Sequence, residues 1–279
     1  MTDPSWQSYD AIADVYERVA ALCHAQTARD LVAAVAPSFG ARVLDLGAGT
    51  GVAAEAAAAA VGPDGTVVAA DPSGALLRRA GSGRLQRVAA AAPGLPFVDD
   101  AFDVIVANLV VGHFRDYTVA LADLVRVLRA GGRLGVTTWG RLDRDPEIDD
   151  ADERAAYATW DAVAAERVDL DKVDAAALEA LPWEAAFSDH AFLVAALNAA
   201  NLAVVDAIGR AYRYPLSHVD WLGRVHTSAR GRYVRAELGN DGMSALSAAV
   251  LEAMRAAAIP DPIHCADETV ITVAVLGRT

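Results

Sequence analysis

Through the first half of the chain, short apolar runs bounded by Gly or Asp alternate with stretches of helical spacing. The runs Arg42 to Leu46, Thr66 to Ala70, Leu85 to Ala89, Asp103 to Asn108 and Arg133 to Thr138 show little polar alternation, as expected of strands covered on both faces. Between them, Val52 to Val61 is alanine-rich, Ser73 to Ala80 is short, and Tyr117 to Leu128 places apolar residues at helical spacing before Gly131 and Gly132 stop it. Strand and helix in regular alternation predict βαβ units and a mostly parallel sheet. Beyond Trp139 this pattern dissolves. Helices are expected from about Asp152 to Glu166, Asp174 to Leu181, Asp189 to Ala200 and near Met243 to Ala257. A strand begins at Ala203 to Ala207, and the β-branched run Glu268 to Leu276 is the last.

Composition narrows the class. At 279 residues, with 54% hydrophobic and 22% charged, the chain buries a real core and is read as one large domain with insertions. A net charge of −13 argues against nucleic acid as partner. That charge is unevenly placed: from Asp143 to Asp189 there are fifteen acids against four bases. The run is read as a solvated helical surface, with a mobile lid as the functional alternative. From Arg210 to Arg235 the balance reverses, with six arginines against Asp220 alone, interleaved with Tyr212, Tyr214, His218, Trp221, His226 and Tyr233. This segment either holds an anionic or aromatic substrate or pairs with the acidic stretch. Cys23 and Cys265 are too few for a disulfide framework and lack zinc-site spacing, which fits a reducing cytoplasm. The first ten residues, MTDPSWQSYD, lack the pattern of a secretory signal, and the apolar stretch Ala191 to Val205 is too short for a membrane span and is broken by Asn198 and Asn201. A cytoplasmic protein without a membrane span is therefore expected.

The most informative residues are Val43 to Gly51, VLDLGAGTG, where an apolar strand ends in a glycine turn that opens a helix. Gly47 and Gly49 allow close backbone approach to a ligand, and the helix presents free amides. Counting from Gly47, the third position of a dinucleotide fingerprint is Val52, and Thr50-Gly51-Val52 lacks the lysine of a P-loop. Two acids flank the turn instead: Asp45 before it, and Asp71 closing the next strand. Asp71 is placed to accept from ribose hydroxyls and Asp45 to hold an ammonium, which describes a nucleoside joined to an amino acid without pyrophosphate. S-adenosylmethionine fits that description.

VLDLGAGTG, AADPS, LPFVDDAFDVIVANLVVGHF and RVLRAGGRL resemble, in order and spacing, the motifs of class I S-adenosylmethionine-dependent methyltransferases, in particular the small-molecule branch of the ubiquinone and menaquinone biosynthesis enzymes. The resemblance covers roughly Trp6 to Trp139 and the last two strands. It implies that Gly47, Ala48 and Gly49 line the methionine part, that Asp71 takes the ribose, and that Pro72 and Leu76 flank the adenine. Tyr9 and Tyr16, in an N-terminal helix, would close over the cofactor, and Asn108 and Leu109 would sit beside it. Where relatives commonly carry Gly-Asp-Ala, this chain reads Ala90-Ala91-Ala92. The adenine-amine carboxylate is absent there; backbone groups of Ala91 and Ala92 remain to contact the base, with substitution by a nearby acid such as Asp99 or by a water as the alternative. A lost hydrogen bond to a charged acceptor weakens binding by about 1.5 to 3 kcal/mol.

Methyl transfer needs the acceptor in line behind the methyl group with water excluded, and a hydroxyl or ammonium acceptor also needs a base. His113, after the fourth strand, is the catalytic candidate, against a cofactor-flanking role. Trp139, Tyr212, His218 and Trp221 are the candidate acceptor-binding residues, against plain packing. The run Asp149-Asp150-Asp152-Glu153 reads as surface charge, and no metal is expected. The implied architecture is α/β, a Rossmann-like, doubly wound, seven-stranded, mostly parallel sheet with an antiparallel last strand and a helical cap from insertions. It divides into N-terminal helices (1–40), a cofactor core (41–140), an acidic cap insertion (141–188), and the last two strands (189–279) with a basic, aromatic insertion (210–260). The expected function is methylation at O, N or C of a small, largely apolar acceptor in specialised metabolism, leaving S-adenosylhomocysteine, by a monomer or homodimer. A non-methylating reaction such as cyclisation and a non-enzymatic sensor are the alternatives.

Overall fold

The structure is a computed structural model that describes residues 4–81, 83–140 and 151–277. In chain order the helices are α1 (Ala13–Val15), α2 (Ala21–Val35), α3 (Val52–Val61), α4 (Gly74–Leu77), α5 (Tyr117–Val127), α6 (Ala151–Ala165), α7 (Leu170–Ala180), α8 (Glu184–Phe187), α9 (His190–Ala199), α10 (His218–Thr227) and α11 (Ala229–Ala256). The strands are β1 (Arg42–Leu46), β2 (Thr66–Asp71), β3 (Gln86–Ala89), β4 (Phe102–Asn108), β5 (Leu128–Trp139), β6 (Leu202–Leu216) and β7 (Ile263–Leu276). They form one seven-stranded sheet in the order β3-β2-β1-β4-β5-β7-β6. The pairings from β3 through β5 are parallel, and β7 runs antiparallel to β5.

The described residues divide into two compact units: a sheet unit of Cys23–Arg144, Pro182–Ala211 and Glu268–Thr279, and a helical unit of Met1–Leu22, Asp145–Leu181 and Tyr212–Asp267. In the sheet unit, alternate residues of each strand feed two cores. Val43, Val104 and Val106 join Leu31, Val35 and the alanines of α3, whereas Leu44, Leu46, Ile105 and Ala107 join Leu121 and Leu124 of α5 and Leu193 and Leu197 of α9. Because successive side chains point to opposite faces, helices cover both sides of the sheet. The small side chains Ala53, Ala54, Ala57 and Ala58 are buried, so α3 lies close against the strands.

Helix starts follow local chemistry. Ser73, Asp116, Asp169, Asp189, Ser217 and Ser228 each accept a backbone amide at the N-cap of the helix that follows. α5 ends at Val127, one residue short of the expected Leu128, whereas β5 departs from expectation: it starts at Leu128 rather than Arg133, pairs Leu128 with Phe102 across an irregularity, and takes in Gly131 and Gly132. The helix expected near Met243 is likewise the second half of a longer one, with a break at Gly239, whose φ of 68° suits a glycine.

In the helical unit, Trp160, Trp221, Met243, Leu246, Val250 and Met254 form the core. Glu153, expected at the surface, is buried there, and this corrects the reading of the acidic run; Asp149 and Asp150 lie outside the described residues. The reason is Arg224, which reaches Glu153 at 2.7 Å and also pairs with Asp267, itself hydrogen-bonded by the Tyr214 hydroxyl. Burial opposes the Arg224 charge, but the carboxylates outweigh it and hold its pKa above the usual value. Burial also pushes the neighbouring Tyr157 hydroxyl up to about 12. Removing the cation strands two acids in a buried setting. Arg224→Met is expected to lower unfolding free energy by about 3 to 5 kcal/mol, read by urea denaturation, whereas a change under about 1 kcal/mol would mean that the network is solvated.

Candidate functional site

The site grows from the C-terminal ends of β1, β2 and β4, where an open α/β sheet binds its ligands. β1 delivers the chain into a turn in which Gly47, Gly49 and Gly51 all have positive φ, of 66°, 54° and 83°. At Gly47 the need is also steric, since a Cβ there would stand 2.3 Å from Cγ2 of Val110. The turn is tied to β2 twice: Ala48 N donates to Ala70 O at 3.0 Å, and Gly49 N donates to Asp71 Oδ2 at 2.9 Å. The other Asp71 oxygen accepts from Ser73 N at 2.7 Å. A carboxylate has about four lone-pair sites, so Asp71 keeps acceptor capacity after fixing the turn.

Asp45 is almost wholly buried beneath this turn, and its Oδ2 meets no hydrogen-bond partner. Burial pushes its carboxyl up to about 8, opposed by the amide of Ala54 and reinforced by the charge of Asp71. At the end of β4, the buried Oδ1 of Asn108 also lacks a partner, and Leu109 takes a left-handed conformation with φ of 57°. A bulky residue in that region is strained, which is commonest at ligand sites. His113 follows in a single 3-10 turn, Val111–His113, part-exposed, with its amide bonded to Val110 O at 3.0 Å.

A methyltransferase-domain family profile matches residues 44–136, which span the turn, Asp71 and His113. Over these residues the chain is similar to a methyltransferase domain. The chain is 38% identical over 113 residues to an uncharacterized protein of Mycobacterium tuberculosis, covering 39% of this chain and 41% of that one. It is 36% identical over 148 residues to a demethylmenaquinone methyltransferase of Thermobifida fusca, covering 50% of this chain and 62% of that one. The chain thus spans less than two thirds of the length of these relatives. Among solved structures, the [4+2]-cyclase SpnF aligns with a TM-score of 0.54 at 18% identity, over 91% of this chain and 81% of that one. The YcgJ protein of Bacillus subtilis aligns with a TM-score of 0.53 at 20% identity, over 91% and 100%. At such identities the likeness is one of fold.

The sheet unit holds Asp45, Gly47, Ala48, Gly49, Asp71, Asn108, Leu109 and His113. Pro72 is exposed and Leu76 buried at the start of α4. Ala91 and Ala92 lie in the loop after β3, which other residues hold in shape: Asp123 accepts from the amides of Gly94 at 2.6 Å and Leu95 at 2.8 Å, and Arg126 donates to Leu95 O and Phe97 O. Asp99 is ion-paired with Arg126 at 3.1 Å. Trp139, at the end of β5, meets His24 edge to face at 6.0 Å.

Tyr9, Tyr16, Tyr212, His218 and Trp221 belong to the helical unit. Tyr9 and Tyr16 contact each other edge to face at 5.5 Å. His218 is buried, its Nε2 lying 2.9 Å from Pro260 O and its amide donating to Asp261, while Trp221 is fully buried in the core against Tyr157. One residue of the sheet unit escaped sequence reasoning. Glu184, at the start of α8, packs so tightly on Gly112 that a Cβ there would be 3.3 Å from Glu184 Cα, and burial raises its pKa. No motif marks it, because the contact is made across some seventy residues of chain. An apolar cleft of about 520 Å³ lies between α5 and α9, lined by Tyr117, Leu121, Val125 and Phe192 among others, and includes none of these site residues.

The raised Asp45 pKa fixes the sign of a pH effect. Between about 4 and 8 the folded protein keeps a proton that the unfolded chain, with the ordinary value of 3.8, releases. Asp45 therefore makes stability fall as pH rises through that window, with no further loss above it. Urea midpoints measured from pH 5 to pH 8 are expected to decline for the wild type relative to Asp45→Asn; parallel curves would place Asp45 in contact with water.

Proposed function

We propose that the protein is an S-adenosylmethionine-dependent methyltransferase acting on a small-molecule acceptor. The observation that carries this reading is the pair of buried polar atoms without partners, Asp45 Oδ2 and Asn108 Oδ1, beside a left-handed glycine turn that packs on Val110 too closely to admit a Cβ at Gly47. Buried groups of this kind are costly unless a ligand satisfies them. The donor set fits the cofactor: Asp71 offers acceptors to a ribose, Asp45 a buried carboxyl that an arriving ammonium would hold ionised, and Gly47, Ala48 and Gly49 a surface without side-chain bulk. Leu109, Pro72 and Leu76, with the backbone of Ala91 and Ala92, complete the binding set, and Tyr9 and Tyr16 are assigned to it by resemblance. When bound, the cofactor supplies a methyl group activated on a sulfonium.

The chain's own part is to position, to exclude water and to move one proton. His113 follows the end of β4, and its imidazole takes the proton of a hydroxyl or ammonium acceptor near neutral pH. Trp139 is assigned to the acceptor; in the helical unit, His218 is bonded to Pro260 O and Trp221 is fully buried, so both are framework residues there. The demethylmenaquinone relative and the high apolar content of the chain favour a small, largely apolar acceptor.

Calorimetric titration with S-adenosylmethionine and S-adenosylhomocysteine is expected to show binding of both, followed by methyl release on a panel of phenols, amines and carboxylates. Asp71→Ala should weaken S-adenosylhomocysteine by roughly 10- to 100-fold, the loss of charged hydrogen bonds. Equal affinity in a folded variant would remove the site assignment. His113→Ala should lower kcat by about 100-fold or more while leaving S-adenosylhomocysteine affinity within about threefold. An unchanged kcat would confine His113 to a structural part.

A further inference from the structure

The six arginines of the basic, aromatic segment do not share one role. Arg210 lies 3.7 Å from Asp30. Arg224 and Arg230 meet carboxylates of the acidic stretch, Arg224 at Glu153 and Arg230 at Asp161 (2.9 Å) and Asp174 (2.7 Å). Arg213 is engaged as well. For these residues pairing within the chain is the answer. Arg232 and Arg235 differ, because among the described residues neither has a carboxylate partner.

Arg232 is 3% exposed. Its Nη1 donates to Thr227 O at 2.7 Å, its guanidinium lies over the ring of Tyr9 at 4.1 Å from the centroid, and its Nε is buried with no hydrogen-bond partner. Arg235, one turn further along α11, donates from Nη1 to Asn240 Oδ1 at 3.0 Å, and its buried Nε is likewise unsatisfied. Residues three apart on a helix are neighbours, so the two side chains leave α11 from adjacent positions. His226 brings no compensating charge: burial first, and then Arg235, lower its pKa to about 4, which leaves the ring neutral at physiological pH. The same unit shows how a buried arginine is treated when its role is structural, since Arg224 is given two carboxylates.

A buried guanidinium with open N–H donors is costly unless an anion answers it, and its forked geometry matches carboxylate and phosphate. The aromatic surroundings narrow the ligand further. Tyr9 carries the guanidinium on its face and meets Tyr16 at its edge, while Trp6 stands edge to face with Tyr233 at 5.3 Å. We propose that Arg232 and Arg235, with the ring of Tyr9, form a binding site in the helical unit for the oxyanion of a small ligand, an aromatic carboxylate being the chemistry that fits. Calling that ligand the methyl acceptor rests on the methyltransferase reading; the site itself does not.

The test uses the full chain at constant ionic strength, titrated calorimetrically with sodium benzoate, with benzamide as its neutral counterpart, and with inorganic phosphate. Benzoate is expected to bind saturably and at least tenfold more tightly than benzamide. Arg232→Gln should bring benzoate down to the benzamide level, Arg235→Gln should weaken it several-fold, and Arg232→Lys should restore part of the loss. Phosphate binding more tightly than benzoate, and lost in the same variants, keeps the site and assigns the ligand to phosphate esters. Benzoate no tighter than benzamide in the wild type, with no phosphate binding, overturns the proposal, as does full benzoate and phosphate affinity in the folded Gln variants. Should both variants fail to fold, the wild-type comparison decides alone. Titrating S-adenosylhomocysteine on the same samples separates the two readings: its failure with benzoate bound removes the methyltransferase reading only, and the converse removes only this one.

Discussion

The hydrogen bond from Gly49 N to Asp71 Oδ2 ties the turn after β1 to the end of β2, and much of the site depends on it. It exists because β1 and β2 pair in parallel with Leu46 opposite Ala70, so that Asp71 emerges one residue past the pairing, level with the turn. A register slip of one residue would send that carboxylate to the other face of the sheet. The turn then needs its left-handed glycines, and Gly47 needs the absence of a side chain because Val110, just past β4, is packed against it. Three strand ends are thereby locked to one loop, and the left-handed Leu109 is tied to β5 by its amide, which donates to Thr137 O at 3.1 Å.

Buried charge separates framework from site in both units. Arg224 is surrounded by Glu153, Asp267 and Tyr214, and its energetics close within the protein. Asp45 and Arg232 are as deeply buried, yet the first has an unsatisfied oxygen and no cation, and the second an unsatisfied nitrogen and no anion among the described residues. Low dielectric makes a satisfied network stiff and an unsatisfied one expensive. Other buried polar atoms also lack partners, Trp160 Nε1 and Thr272 Oγ1 among them, so it is the missing opposite charge that sets Asp45 and Arg232 apart.

The sheet unit was the more legible part of the sequence. β1 and α3 lie where the pattern of Arg42 to Leu46 and Val52 to Val61 puts them, because parallel strands covered on both faces are continuous apolar runs and the glycines between them have few conformational alternatives. The start of β5 is not legible because Gly131 and Gly132 look like a break between elements, whereas the pairing of Leu128 with Phe102 draws the chain into the strand five residues before Arg133. α10 is not legible because its sequence, HVDWLGRVHT, mixes two histidines, an arginine and a glycine with its apolar residues, and its burial of Trp221, Leu222 and Val225 is decided by α6, some sixty residues earlier, and by the far half of α11. Glu153 was misread for the same reason, since its partner Arg224 is 71 residues away. Motifs report contacts within a turn or between adjacent strands; long-range pairs leave no such mark.

The loop after β3 shows how a departure from a motif is absorbed. Where the resemblance leads one to expect an acid, the chain has Ala91, and the nearby acids are committed elsewhere: Asp99 to Arg126, and Asp123 to the amides of Gly94 and Leu95. Arg126 completes the frame by taking Leu95 O and Phe97 O, so the Leu-Pro-Phe segment is held through its backbone by one ion pair of α5. Asp99 therefore makes a poor replacement, because freeing it would remove a partner of Arg126 and loosen the loop that presents Ala91 and Ala92. Any recognition of a base at this loop falls to backbone groups and shape. Those depend on Asp123 and Arg126, two residues that need never touch the ligand.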